Sequence, residues 1–392
     1  MATTTGTEPA PPQPASTPLI AGVVTAIVGV SSSFVVVLAG LRAVGASPEQ
    51  AASGLLIVCV TQALGMLWLS VRHRTPITLA WSTPGAALLV STGLVEGGWP
   101  AAVGAFLVVA ALILLTGLWP QLGDLIAAIP APIARAMLAG VLLPLCLAPF
   151  TALADAPELV APVLVVWLVA LKLSRRWAVP AALAAALVVV VVDAGSQVDA
   201  ADLVPSLTWT TPHWTWQALV SIAVPMYVVT MASQNVPGVA VMTSFGYSVP
   251  WRETMTVTGI GTAAGAPFGG HAINLAAITA ALAAGPDAGE DRSRRWLAPV
   301  SASGTYLVLA IGSAALAALV AAAPGAVIQA AAGLALFGAL AASLAGALED
   351  ETEREPAAIT FLVAASGISV LGVGAAFWAL VAGLAVRWVL RA

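Results

Sequence analysis

His271 and Asn274 are the residues of this chain best placed to do chemistry. They lie in the stretch Gly265 to Leu282, GAPFGGHAINLAAITAAL, inside a long apolar region. The stretch opens with Pro267, Gly269 and Gly270. A spanning helix does not begin with such a break in hydrocarbon, because the freed backbone groups find no water there. The break is tolerated where the backbone is packed in protein or faces a polar cavity. Beyond it, Ala272 to Leu282 reads as a half-helix whose N-terminus points into that cavity, and a helix N-terminus attracts anions. His271 stands at this end, and Asn274 follows on the same helical face. Every Asp and Glu falls in a tail or a connection, which leaves His271 as the acid–base group within an apolar span. Such a residue is a functional hypothesis by default; the competing reading is a histidine held for packing. Phe268, just before the break, could stack on an aromatic ligand or simply fill space.

An equivalent piece occurs earlier, at Trp81-Ser-Thr-Pro-Gly85. Ser82 and Thr83 followed by Pro84 and Gly85 make a good helix start, a hydroxyl cap and then proline in the first turn. The preceding Ile77 to Trp81 suits a short extended segment. Two broken segments in corresponding halves are the sequence pointer to a transporter's substrate site. A monocarboxylate between the two helix starts, with Trp81 and Phe268 as walls for an apolar ring, fits these residue types. Ser233, Gln234 and Asn235 precede Pro237-Gly238 in mid-span, and their polar side chains need partners, either a ligand or another helix. Ser31, Ser32 and Ser33 form a weaker candidate group, of which Ser33 is counted among the site residues, because serine also bonds back to its own helix. Gly333, Gly338 and Gly346 suit close helix packing.

These candidates must be positioned by a membrane-embedded frame. The 392 residues are 60% hydrophobic and 8% charged, with a mean hydropathy of +0.99. That composition describes an all-α polytopic membrane protein, long enough for about fourteen spans. The spans are expected at 18–45, 50–71, 76–94, 99–119, 125–150, 157–174, 177–193, 216–243, 251–266, 267–285, 296–322, 324–348, 356–373 and 374–391. The charges support an even count with both termini in the cytoplasm. Of the 14 Lys and Arg, only Arg42 falls on the outer side, as the positive-inside rule demands. Residues 1–17 lack a basic n-region and are rich in Pro and Thr, so a disordered cytoplasmic tail is expected rather than a cleaved signal peptide. Cys59 and Cys146 lie in apolar runs and read as core residues. The outer connection 196–215 carries Trp209 and Trp214, with Trp216 just beyond, an interfacial aromatic belt.

The two halves echo each other. Ser31-Ser-Ser-Phe34 answers Ala232-Ser-Gln-Asn235, Trp81 to Gly85 answers Phe268 to Ala272, and Ile133 to Ala139 answers Val327 to Gly333, in the same order. Seven spans per half is an odd number, so the second repeat (216–392) is inverted relative to the first (18–195).

At these residues the chain resembles a known family. WSTPGAALL, SQNVPGVAV and FGGHAINLAAITAAL are similar to the signature stretches of the benzoate–proton symporters, the BenE family, over nearly the whole membrane domain. More distantly the arrangement resembles the uracil permease fold. The resemblance implies two inverted seven-span repeats with short strands in the third and tenth spans. It also implies a core domain (segments 18–119 and 216–322), a gate domain (125–193 and 324–391) and, in many members, a homodimer. Nucleobase carriers of that fold hold substrate with glutamates in the eighth and tenth spans. Gln234 or Asn235 and His271 stand there in this chain, which suits an anionic ligand.

The resulting expectation is an inner (plasma) membrane transporter that imports an aromatic carboxylate with protons and uses no cofactor, metal or nucleic acid. The substrate residues are Trp81, Ser82, Thr83, Gly85, Ser33, Gln234, Asn235, Phe268, Gly269, Gly270, His271 and Asn274. An unperturbed histidine titrates near pH 6.5, which makes His271 the proton-coupling candidate. A nucleobase or inorganic-anion carrier of the same fold is the nearest alternative. An anion channel needs a continuous polar lining, and an enzyme needs a nucleophile–base pair or paired acids; neither pattern is present in the sequence.

Overall fold

The computed structural model describes residues 16–119, 121, 129–194 and 203–391. The expected N-terminal tail lies, up to residue 15, outside the described residues. So do 195–202 of the outer connection and 122–128 at the expected start of the fifth span. Among the described residues the regular structure is helical apart from two small two-stranded sheets. Seven helices among the described residues are long and apolar enough to cross a membrane, or eight if one bent pair is counted as a span. The remaining expected segments are shorter or interrupted.

The first segment is interrupted where a continuous span is expected. Thr17–Ser31 (α1) and Phe34–Ala43 (α2) meet at Ser32 and Ser33. Ser31 and Ser32 turn their hydroxyls back onto the carbonyls of Ile27 and Gly29, at 2.6 and 2.9 Å. Such bonds compete with the helix ladder, and the backbone leaves the helix at Ser33. Pro48–His73 (α3) follows behind a capping box of Ser47 and Gln50. Then come the strand Leu79–Trp81 (β1), the short helix Thr83–Thr92 (α4) and the long helix Gly98–Leu118 (α5). The next helix, Ala131–Asp155 (α6), starts several residues later than expected, at Pro130 and Pro132, whose fixed φ suits a first helical turn. Pro157–Leu173 (α7) and Arg175–Ala194 (α8) complete this half.

The second half opens with Trp216–Ser244 (α9), which contains π turns at Leu219–Ala223 and Met231–Asn235. Each lies just before a proline, Pro225 or Pro237. The extra residue per turn accommodates a ring that would collide with the carbonyl four residues back. Trp251–Gly265 (α10), a 3₁₀ turn at Ala266–Phe268, Ile273–Leu275 (β2) and Ile278–Ala284 (α11) follow. The expectation of a half-helix from Ala272 is therefore corrected: the chain is extended there and turns helical only at Ile278. The backbone groups freed by the break are taken up by a strand ladder instead. Leu297–Ile311 (α12) and Ser313–Ala322 (α13) form the bent pair, at 52°. Gly325–Ala347 (α14) and Arg354–Ala365 (α15) lead to a hairpin, Ser369–Val370 (β3) and Val373–Gly374 (β4), and the closing helix Ala375–Arg391 (α16). The hairpin shortens the thirteenth expected span. Its two-residue turn holds Leu371 at φ 54° and Gly372 at φ 76°, the left-handed pair that matches strand twist.

Packing follows small residues. The helix α6 lies chiefly against α14 and α15, α1 and α3 against α12, and α10 against α5. A β-carbon on Gly333 would sit 2.4 Å from the Leu145 carbonyl oxygen, so α6 and α14 touch at backbone distance as expected. Gly338 differs: no atom stands within 4 Å of its missing β-carbon, and it borders a cavity instead.

Candidate functional site

The two interrupted segments meet through their strands. β1 and β2 pair antiparallel, Leu79 opposite Leu275, Ala80 opposite Asn274 and Trp81 opposite Ile273. The ladder extends at both ends, Ser82 N–H to Ala272 O and Ala276 N–H to Thr78 O, each 2.9 Å. Side chains fix β2 from the neighbouring helices. Asn235 Oδ1 accepts from Leu275 N–H at 2.8 Å, and Thr262 Oγ1 accepts from Ile273 N–H at 3.1 Å. Ser82 caps α4 as expected, its hydroxyl accepting from Gly85 N–H at 3.1 Å while sharing a 2.7 Å hydrogen bond with Thr230 of α9.

Beside this crossing lies a cavity of about 340 Å³, within the range of small-molecule sites. Ser33, Trp81, Thr83 and Gln234 border it from the broken segments, together with Ala277 and Thr279 of the second break. Leu142, Leu336 and Ala339, from α6 and α14, supply an apolar wall opposite in chemistry. Arg175 and Arg176, at the start of α8, also line it. Arg176 lies 3.7 Å from Asp287, which follows α11. No carboxylate is among the lining residues described, so nothing in the cavity wall repels an anion.

The sequence candidates divide into three groups. Ser33, Trp81, Thr83 and Gln234 face the cavity. The Trp81 indole N–H donates to Ser33 Oγ at 2.8 Å, which fixes the ring across the break in the first segment. Ser82, Gly85 and Asn235 stand one layer behind and hold the helix start and the strand. Phe268, Gly269, Gly270, His271 and Asn274 are not among the lining residues. Phe268 packs edge-on with Trp209 of the outer connection, ring centres 5.3 Å apart. Gly269 has φ 93°, which excludes other residues, and its missing β-carbon faces Gln50, Gly54 and Trp99 at 3.1 Å. Gly270 is likewise pressed against Ile57. Asn274, in a strand, does not share a face with His271 as a helix would require; it is fully buried, with neither side-chain polar atom hydrogen-bonded.

His271 is completely buried behind the crossing. Its Nε2 lies 3.1 Å from the Ser82 carbonyl oxygen, and Phe106 packs edge-on against the ring. A carbonyl can only accept, so Nε2 carries the proton, and Nδ1, without a partner, keeps its lone pair free. The imidazole thus touches the residue that caps α4 rather than the cavity itself.

Sequence reasoning missed Thr279, Tyr306 and the pair Arg175 and Arg176. Tyr306, on α12, is 1% exposed and sits edge-on to Trp81, ring centres 6.1 Å apart. A tyrosine in the middle of the apolar run Leu297–Ile311 was the available signal.

Comparison with known proteins places this architecture. The chain is 39% identical to the inner membrane protein YdcO of Escherichia coli over 368 residues, covering 93% of each chain. It is 29% identical to the benzoate membrane transport protein of Acinetobacter baylyi over 375 residues, 95% of this chain and 94% of that one. The transmembrane domain of the cyanobacterial bicarbonate transporter BicA superposes with a TM-score of 0.57 at 16% identity, over 95% and 96% of the two chains. Murine Slc26a9, an anion transporter in its inward-facing state, gives 0.65 at 12% identity, over 95% and 67%. These two likenesses show a shared fold. The family model described as benzoate membrane transport protein matches residues 13–389, and the chain belongs to that family, BenE.

Proposed function

We propose that this protein is a secondary transporter that imports benzoate or a similar aromatic carboxylate together with protons. The carrying observation is the cavity beside the β1–β2 crossing, where the start of α4, the Thr83 hydroxyl and the Trp81 ring border one space free of carboxylates. The carboxylate lies at the α4 N-terminus, where the Thr83 N–H, which the Ser82 cap does not use, and the helix dipole favour it. The ring lies along Trp81 and the apolar side chains of α6 and α14.

His271 couples the proton at one remove. Protonation of Nδ1 places a positive charge one hydrogen bond from Ser82, next to the carboxylate's seat. The loaded site then gains no net charge, which lowers the cost of carrying it through the bilayer. Fourteen segments in two inverted repeats give a core domain (18–119 and 216–322) and a gate domain (125–193 and 324–391), and relative movement of the two alternates access. The cavity's arginine-lined end makes the described conformation inward-open in this reading.

Counterflow in proteoliposomes tests the proposal. Vesicles loaded with unlabelled benzoate should accumulate external labelled benzoate transiently, and an inward proton gradient should raise uptake. Absence of exchange, or equal uptake of uracil or bicarbonate in competition, would overturn it.

A further inference from the structure

Two hydroxyl groups on the cavity wall have no task in the reading above. Thr279 Oγ1 is buried, the residue only 8% exposed, and has no hydrogen-bond partner. Tyr306 is still more enclosed, at 1%, and its ring packs edge-on against Trp81. Both residues line the same cavity. Both side chains also approach Gly29, the tyrosine with its hydroxyl and the threonine with its methyl group. A β-carbon on Gly29 would stand 2.2 Å from the Tyr306 hydroxyl oxygen and 3.7 Å from Thr279 Cγ2. Gly29 leaves the notch into which the phenol reaches, and the threonine flanks it.

Buried hydroxyls are costly without partners and are almost always hydrogen-bonded in native proteins. Two of them on the wall of one cavity, from separate helices, mark a place where a ligand supplies the missing bonds. An unsubstituted phenyl ring has nothing to offer there. A ring hydroxyl does: it donates one bond and accepts others, and Tyr306 and Thr279 can each do either. Trp81 is positioned to hold the ring, since it is edge-on to Tyr306 and fixed by Ser33.

We propose that Tyr306 and Thr279 form a polar subsite that selects hydroxylated aromatic acids over unsubstituted benzoate. The inference rests on the transport reading and goes beyond it, because it assigns a second recognition point on α11 and α12, apart from the carboxylate's seat at α4. A site built to hydrogen-bond a substrate hydroxyl disfavours the analogue lacking it, since the protein's own groups are then stranded.

The test uses the purified full-length protein in detergent, with binding of benzoate and of 2-, 3- and 4-hydroxybenzoate measured by calorimetry. At least one hydroxybenzoate should bind about tenfold or more tightly than benzoate, as expected for a buried hydrogen-bonding pair. Tyr306→Phe and Thr279→Val should each pull that ratio toward one, while melting curves show that the variants are folded. Gly29→Ala, which forces the phenol aside, should reduce the ratio too. Benzoate binding as tightly as every hydroxybenzoate would overturn the inference and leave the transport reading standing, as would an unchanged ratio in both hydroxyl variants. Failure of all four acids to bind would overturn the transport reading and this inference with it.

Discussion

Thr83→Asp puts a carboxylate where the substrate's own carboxylate is expected to sit. Thr83 is the first residue of α4, directly after the Ser82 cap, and it borders the cavity. The substitution keeps the side chain close to its original size and gives the helix N-terminus an internal anion, which stabilises a helix by about 0.3–1 kcal/mol. The variant should therefore fold as well as the parent. Binding is another matter. Two carboxylates about 5 Å apart repel by roughly 3 kcal/mol at an effective dielectric of about 20, and by about half of that where water reaches one of them. The affinity for benzoate should fall by between about tenfold and a few hundredfold. Calorimetry on the detergent-solubilised protein reads this directly, with Thr83→Asn as a control of like shape and no charge. A benzoate affinity within threefold of the parent in the Asp variant would refute the placement of the carboxylate at α4.

Replacing His271 by Gln keeps a donor for the Ser82 carbonyl but cannot titrate; some binding should remain, while affinity no longer rises as pH falls and uptake against a gradient is lost. Accumulation at the parental level would exclude His271 as the proton carrier. Asn235→Leu strands the Leu275 N–H inside the protein, at a cost of about 1–3 kcal/mol, and should lower the melting temperature by several degrees; an unchanged melting curve would show that β2 does not depend on it. Glu353 is buried and accepts from Arg387 at 2.8 Å and Arg391 at 2.5 Å. Glu353→Gln should loosen α16, read as faster proteolysis at the C-terminal end, and equal protease resistance would count against that anchor. Leu142 and Ala277 border the cavity from α6 and from the second break. Cysteines at both, joined by a bifunctional thiol reagent, should arrest uptake, and normal transport by the joined protein would defeat the two-domain account.

The frame was legible because the bilayer imposes it. Apolar runs, the sidedness of the arginines and the paired breaks at Pro84 and Pro267 all express the rule that backbone polar groups in hydrocarbon must be satisfied internally. The cap at Ser82 could be read directly, since hydroxyl, proline and glycine in that order have one good use. The residues alone did not disclose the course of the second break, where the resemblance to the uracil permease fold did imply the short strand that is found. Ala272 to Leu282 is apolar and rich in alanine, a composition that favours helix, and only the distant partner Leu79–Trp81 turns its first residues into strand. His271 is buried, as its place in an apolar run implied, but its distance from the cavity depends on that strand. Tyr306 escaped notice because its place on the cavity wall comes from packing beside Trp81 and Gly29, and no local spacing links residues so far apart in the chain.

The pairing of β1 with β2 has a consequence for how the molecule is made. Leu79–Trp81 emerges from the ribosome long before Ile273–Leu275, and until then its backbone N–H and C=O groups have no ladder partner. An unpaired extended segment is costly within the hydrocarbon, and a contact between positions so far apart in the chain forms late and slowly. The first broken segment must therefore wait near the interface, or in an insertion machine, until the second half is in place. Chains released before residue 273 should fail to insert that segment stably. Co-expression of a fragment carrying the second half should rescue them, since the ladder needs the two strands to meet and not to share one chain.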